Sequence, residues 1–203
     1  MKTIRFNNFV ILTILALVAV AYPQTTKPST VTDFYFLLPA EYFAKPNFDK
    51  WRKMNLREYR ESAIKIKDIK NGYLRIEEPV RDGWAEMAIF KQTDGNYIVG
   101  VTEVDCGPGC EGKITFLQYN AGSELGWYNM TNSVMPEISD SRIKAALKRH
   151  LIRNNGTELV YVLPRVGTTI KVQTPGDYFD IGFKPTVLFE LDWIGWRFVV
   201  KDR

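Results

Sequence analysis

The chain has 203 residues, with 27 Lys and Arg against 23 Asp and Glu, one His and two Cys. That length suits one domain, and its 45% hydrophobic and 13% aromatic content can fill a core. Setting aside Lys2 and Arg5, which belong to the leader described next, lowers the formal net charge from +4 to +2. A balance so near neutrality argues against the concentrated basic face of a nucleic-acid or anionic-membrane binder.

Lys2 and Arg5 precede the apolar run from Phe9 to Val20, and Ala19-Val20-Ala21 offers a small-x-small cleavage site. This is the pattern of a secretory signal peptide over residues 1–21, with an apolar run too short to span a bilayer. No Cys stands at the cut, which argues against a lipid anchor. The mature protein is expected to be secreted or periplasmic, soluble, monomeric and without a membrane span. Residues 22–32 (YPQTTKPSTVT) are rich in Pro, Thr and Ser and read as a flexible lead-in to a single domain over 33–203.

Asp33 to Leu38 (DFYFLL) reads as a strand that Pro39 ends. Phe48 to Ala63 carries Trp51, Met54, Leu56, Tyr59 and Ala63 at loosely helical spacing, with Asp49 as a cap. The period then changes to two. Ile64 and Ile66 lead to Asn71-Gly72, and Tyr73, Leu74 and Ile76 follow, which predicts a β-hairpin. Trp84–Gln92 and Asn96–Val104 flank Asp94-Gly95 in a second hairpin, and Gly112–Tyr119 and Gly126–Asn132 form a third around residues 120–123. Ser139 caps a helix expected to run to Asn154, with Ile143, Ala146, Leu147, His150 and Leu151 along one face and Asn155-Gly156 as its stop. Glu158–Leu163 with Thr168–Gln173, and Thr186–Trp193 with Trp196–Lys201, complete the hairpins. The expected fold class is α+β, an antiparallel meander of successive β-hairpins with two helices packed on it. An all-β barrel or propeller fragment is the competing architecture.

Cys106-Gly107-Pro108-Gly109-Cys110 is the one constellation with chemistry in it. In an exported protein two Cys this close are expected to form a disulfide that staples a strand connection. A C-x-x-C redox motif has one residue fewer and opens a helix. Here the first Cys follows a strand-like run, and Asp105 beside it disfavours a thiolate. His150, the lone histidine, is expected to pack within its helix. Gly122-Ser123-Glu124-Leu125-Gly126 has the wrong offset for a nucleophile elbow, and no Gly-rich phosphate loop or metal-ligand spacing is present, so no catalytic residue, cofactor or metal is expected. Glu77-Glu78, Asp177 and Asp180 read as solvated turn charges. Trp127, Tyr128, Trp193 and Trp196, with Tyr178 and Phe179, are candidates for a stacking surface, although alternation on strands would send half of such residues inward.

The segments LLPAEYF, DIKNGYLRIE, EMAIFKQTDGNYIVGV followed by DCGPGC, VMPEIS and LVYVLPRVGTTIKV resemble those of uncharacterised exported bacterial proteins. The resemblance spans most of the mature chain through strand and turn patterns. It implies an envelope location and an antiparallel α+β domain, and it carries no functional residue. The expected function is therefore a non-catalytic exported module that binds or scaffolds a protein or glycan ligand, not nucleic acid, through a sheet face or its hairpin loops. The rivals are an envelope enzyme (a thiol oxidoreductase using Cys106, or a carboxylate-based hydrolase) and a protein inhibitor presenting the disulfide-stiffened loop.

Overall fold

The computed structural model describes residues 27–42, 54–77, 83–106, 110–123, 126–150, 152, 158–175 and 185–201. Among these, two antiparallel meanders stack on each other. The larger orders its strands β1 (Ile64–Asp68), β2 (Tyr73–Ile76), β3 (Gly83–Lys91), β4 (Tyr97–Cys106), β5 (Cys110–Tyr119) and β6 (Trp127–Asn129) consecutively. The smaller does the same with β7 (Val160–Val162), β8 (Thr169–Gln173), β9 (Val187–Trp193) and β10 (Phe198–Lys201). The expected α+β class and the succession of hairpins are what the chain adopts, with the strands divided between two sheets.

The first element departs from expectation. Val31–Leu37 is a helix, α1, not a strand. Thr30 accepts a hydrogen bond from the Asp33 backbone N–H, and the Asp33 carboxylate accepts one in return from Thr30 N–H. This reciprocal capping box starts the helix inside the stretch read as a lead-in. Val31, Phe34, Tyr35 and Leu38 then fall at the i, i+3, i+4, i+7 spacing of one helical face, and all four are buried. The helix α2 (Leu56–Ala63) is capped by Asn55, with Glu58 closing its capping box, while Asp49 lies outside the described residues. A short helix α3 (Thr131–Val134) follows β6, and α4 (Asp140–Arg149) is capped by Ser139 as expected. It ends sooner than expected, with His150 as its C-cap, and Asn155-Gly156 lies outside the described residues.

Alternation along β3 and β4 sorts their side chains between two cores. Ala85, Met87, Val99 and Val101 meet α1 on one face of the large sheet. Ala88, Phe90 and Ile98 point the other way, toward Ile170, Val172, Leu191 and Phe198 of the small sheet and toward Ile143, Ala146 and Leu147 of α4. Gly112 permits a close approach of the two sheets, because a Cβ there would lie 2.7 Å from the Leu159 carbonyl oxygen and 2.8 Å from Val160 Cα.

Arg60, on α2, is 1% exposed. Its guanidinium donates to the carbonyls of Tyr35 (3.2 Å), Phe36 (3.3 Å) and Pro39 (3.0 Å), and the Tyr35 hydroxyl donates back to the Arg60 carbonyl at 3.0 Å. A buried cation is costly unless hydrogen-bonded, and here it is held by carbonyls at and just beyond the end of α1, where the helix dipole also favours a positive charge. Arg60→Ala should lower the unfolding free energy by about 3 kcal/mol, read from urea midpoints. Arg60→Lys should recover little of it, because an ammonium cannot reproduce the fork. A loss under about 1 kcal/mol in Arg60→Ala would show that water replaces the guanidinium freely.

Candidate functional site

In a consecutive antiparallel meander every second turn lies at the same end. The β1–β2, β3–β4 and β5–β6 turns of the large sheet therefore share one end, and so do the β7–β8 and β9–β10 turns of the small sheet. Contacts between the sheets bring these two ends together. Arg165 Nε lies 2.9 Å from Asp68 Oδ2. Thr93 N–H donates to the Gly195 carbonyl at 3.1 Å. Gly195 has φ +94°, and a Cβ there would come within 2.8 Å of Thr93 Cγ2, so both conformation and space call for glycine.

This end carries most of the large apolar side chains left in solvent. Ile69, Val166, Ile194 and Trp196 sit in its turns, Tyr128 lies on β6 beside it, and Leu37 adjoins Trp127, leaving Leu56 as the exposed large apolar residue elsewhere among those described. Exposed apolar groups are unremarkable singly, but their concentration at one end is informative.

The four aromatics read from the sequence as a surface divide by strand face and turn position. The Trp127 indole N–H donates to the Leu37 carbonyl at 3.0 Å, and its ring centroid lies 5.1 Å from Tyr119 and 6.2 Å from Phe34. The Trp193 indole donates to the Lys91 carbonyl at 2.9 Å and packs 5.8 Å from Phe90 and 4.9 Å from Phe198. Both are tied into the cores. Tyr128 and Trp196 remain 43% and 52% exposed, the latter with the Arg197 guanidinium 4.4 Å from its ring centroid. Tyr178 and Phe179 lie outside the described residues.

Beside Tyr128 opens a groove of about 460 Å³ lined by Lys27, Asn96, Gln118, Tyr119, Asn120 and Tyr128 together with Ala121 and Gly122. Gln118 stands directly opposite Tyr128 in the β5–β6 register, which puts both on one face. Its amide donates to Gln92 Oε1 at 3.1 Å. Asn120 Oδ1 accepts from the Gly122 N–H at 3.0 Å. Asn96 is held on both sides, its Oδ1 accepting from Lys27 Nζ at 2.7 Å and its Nδ2 donating to Asp94 at 2.8 Å. Hydrogen bonds from the Asn96 backbone and side chain hold the Asp94 carboxyl below the usual range. These polar residues were not singled out in the sequence, although turn parity in a meander places Asp94-Gly95 and residues 120–123 at one end.

The remaining candidates for chemistry are absorbed by structure. Glu86 is a buried carboxylate, which makes it a natural suspect for catalysis. Its Oε1 accepts from the Tyr73 hydroxyl at 2.9 Å and its Oε2 from the Leu163 N–H at 2.8 Å, so it joins the large sheet to the end of β7. Burial pushes its pKa up against the opposing pull of those two bonds and of Arg75. Burial and the Glu86 charge likewise push the Tyr73 phenol up. Glu77 pairs with Arg75 at 3.0 Å and is partly exposed, while Glu78, Asp177 and Asp180 lie outside the described residues. His150, expected to pack inside, is exposed at the C-cap of α4, because the helix ends one residue before it. It borders a smaller cleft of about 260 Å³ with Arg142, Arg149 and Lys201. Among the described residues no group of three or more His, Cys, Asp or Glu could hold a metal ion.

Cys106 and Cys110 form a disulfide across directly paired positions of β4 and β5, at the opposite end from the groove. They are 6% and 4% exposed and pack with Val104, Val160, Trp84 and Val162. Residues 107–109, the body of the loop proposed as an inhibitor's wedge, lie outside the described residues. Burial shields these sulfurs from attack by a thiolate, which suits a structural bridge.

No protein-family model matches the chain, and no curated protein does. Among solved structures the chain is similar to a domain of an uncharacterized protein from Porphyromonas gingivalis W83, with a TM-score of 0.52 at 13% identity. The match covers 87% of this chain and 100% of that one, and it shows a shared fold alone.

The proton bound by Glu86 is held more tightly folded than unfolded, so stability from this group is complete below the ordinary Glu range and is lost as pH rises through its elevated folded pKa. Glu86→Gln keeps an acceptor and a donor in place and should remove that component. Thermal melts from pH 4 to 8 should show wild type declining toward pH 8 relative to the variant, and parallel curves would contradict the assignment. Replacing both Cys106 and Cys110 by Ala should cost about 2 kcal/mol of stability, and the native pair should have a reduction potential below about −300 mV. A potential between about −120 and −220 mV would instead indicate an exchange catalyst.

Proposed function

We propose that this chain is an exported, non-catalytic binding module of the bacterial cell envelope that engages a glycan or protein ligand through its hairpin-tip end. The observation that carries the reading is the gathering of exposed Ile69, Val166, Ile194, Trp196 and Tyr128 around that end, beside a polar groove. A folded chain gains nothing in stability by leaving such residues in water, whereas aromatic anchors next to polar groups are what ligand-binding surfaces use. The buried disulfide supports an oxidising compartment. The basic start, apolar run and small-x-small site of residues 1–21 support export. No helix among the described residues is long and apolar enough to cross a membrane.

The immobilised mature chain can be challenged with envelope polysaccharide and envelope protein fractions. Retention of ligand should fall at least about tenfold in the double variant Tyr128→Ala, Trp196→Ala, the scale expected for two aromatic anchors. It should be unchanged in Leu56→Ala, which removes an exposed apolar group away from the tips. Equal retention by wild type and the double variant would refute binding through this end.

A further inference from the structure

The geometry points to a more specific ligand: we infer that the groove beside Tyr128 is a subsite for a short neutral oligosaccharide, an inference that rests on the hairpin-tip end being the binding end. Three features of the groove converge on this chemistry.

The first is the pair of half-engaged amides. Asn120 has its Oδ1 occupied by the Gly122 N–H, which fixes the plane of the amide and leaves Nδ2 as the donor. Gln118 has one of its two Nε2 hydrogens engaged by Gln92, which orients the amide and leaves Oε1 as the acceptor. The groove therefore presents one oriented donor and one oriented acceptor. Neighbouring hydroxyls of a sugar ring can satisfy both together, since each hydroxyl donates one hydrogen bond and accepts others.

The second feature is the apolar face. Tyr128 is 43% exposed and stands across the strand pair from Gln118, so an aromatic surface and the acceptor lie on the same side of the sheet. A pyranose has just this division, with C–H groups on one face and hydroxyls around its rim. A ligand polar on every side would leave the ring dry for no return.

Charge is the third feature. Among the described residues no carboxylate lines the groove, and the one cation that does, Lys27, has its ammonium 2.7 Å from Asn96 Oδ1. The nearby acid Asp94 is engaged by Asn96. With one cation and no carboxylate, the described lining offers neither the bidentate clamp an anionic ligand calls for nor a counter-charge for a cationic one. Its volume of about 460 Å³ falls in the range of small-molecule sites, about 300–1,000 Å³.

The test uses the mature chain with backbone and side-chain amides labelled with nitrogen-15. Cellotetraose, maltotetraose, mannotetraose and chitotetraose serve as neutral probes, and a sulfated heparin tetrasaccharide serves as the charged control. At least one neutral probe should give saturable shifts in the Asn120 and Gln118 side-chain amides. Tyr128→Ala should weaken that binding at least tenfold. Asn120→Asp keeps the acceptor for Gly122 while deleting the donor, and should weaken it at least fivefold. Circular dichroism confirms that both variants fold.

If no neutral probe shifts these amides at 10 mM, or if both variants bind as wild type does, the oligosaccharide subsite is refuted. Binding of the heparin tetrasaccharide alone refutes it equally. Should the probes fail while envelope-ligand retention still depends on Tyr128 and Trp196, the oligosaccharide subsite falls and the binding end stands. Failure of both measurements removes the binding end as well.

Discussion

A buried carboxylate ties the two sheets together inside their interface. Glu86 points from β3 of the large sheet into the interface, where it accepts the Leu163 N–H that follows β7 and the Tyr73 hydroxyl from β2. A buried charge left alone would be intolerable, and an unpaired N–H at the end of β7 would be costly too. Each cancels much of the other's penalty, so the docked arrangement is favoured over any sliding of one sheet across the other. The raised pKa of Glu86 records that this cancellation is incomplete. The surrounding contacts of Phe90, Phe116 and Phe198, with centroids 5.0 to 6.0 Å apart, are adhesive but far less directional. This link, with the Asp68–Arg165 pair and the Thr93–Gly195 hydrogen bond, supplies the register that apolar packing alone does not demand.

With that register fixed, topology decides where function can sit. Both sheets are simple meanders, so each has two ends with distinct inventories of turns. Docking them through Glu86, Gly112 and the Asp68–Arg165 pair superposes the ends bearing the β1–β2, β3–β4, β7–β8 and β9–β10 turns. The far end is closed by the directly paired Cys106 and Cys110. Rigid strands thus carry a set of short turns to one place, the arrangement that lets loops hold a binding surface without contributing to the core.

The local part of this architecture was legible in the sequence. Asn-Gly and Asp-Gly pairs between alternating runs mark hairpins because few other dipeptides tolerate positive φ, and Gly72 and Gly95 have φ +66° and +83°. Ser139 was readable as a cap for the same kind of reason. The N-terminal helix looks like a strand in sequence because a window opened at Asp33 shows a continuous apolar run. Opened at Thr30, it shows a capping box and the helical spacing of Val31, Phe34, Tyr35 and Leu38. The split into two sheets was not legible at all. Local periodicity says which residues alternate, but not that the first meander ends at β6 or that β5 lies against β7 across the interface. The same limit hid the roles of the tryptophans. Trp127 and Trp193 look like Trp196 in sequence, and only their carbonyl partners at Leu37 and Lys91, about ninety and one hundred residues away in the chain, mark them as internal.

The polar groups of the molecule separate along the same line. Arg60 and Glu86 are buried, and their hydrogen bonds go to fixed protein partners, because in a dry interior any lapse is penalised heavily. Asn120 and Gln118 each use one half of an amide to fix its orientation and turn the other half to solvent. For stability alone the second half is irrelevant, since water satisfies it. For recognition it matters, because a donor and an acceptor already held in place lose little conformational freedom when a ligand displaces that water. The same type of bond therefore serves two purposes, closing the core where both ends belong to the protein and preparing a surface where one end is left open.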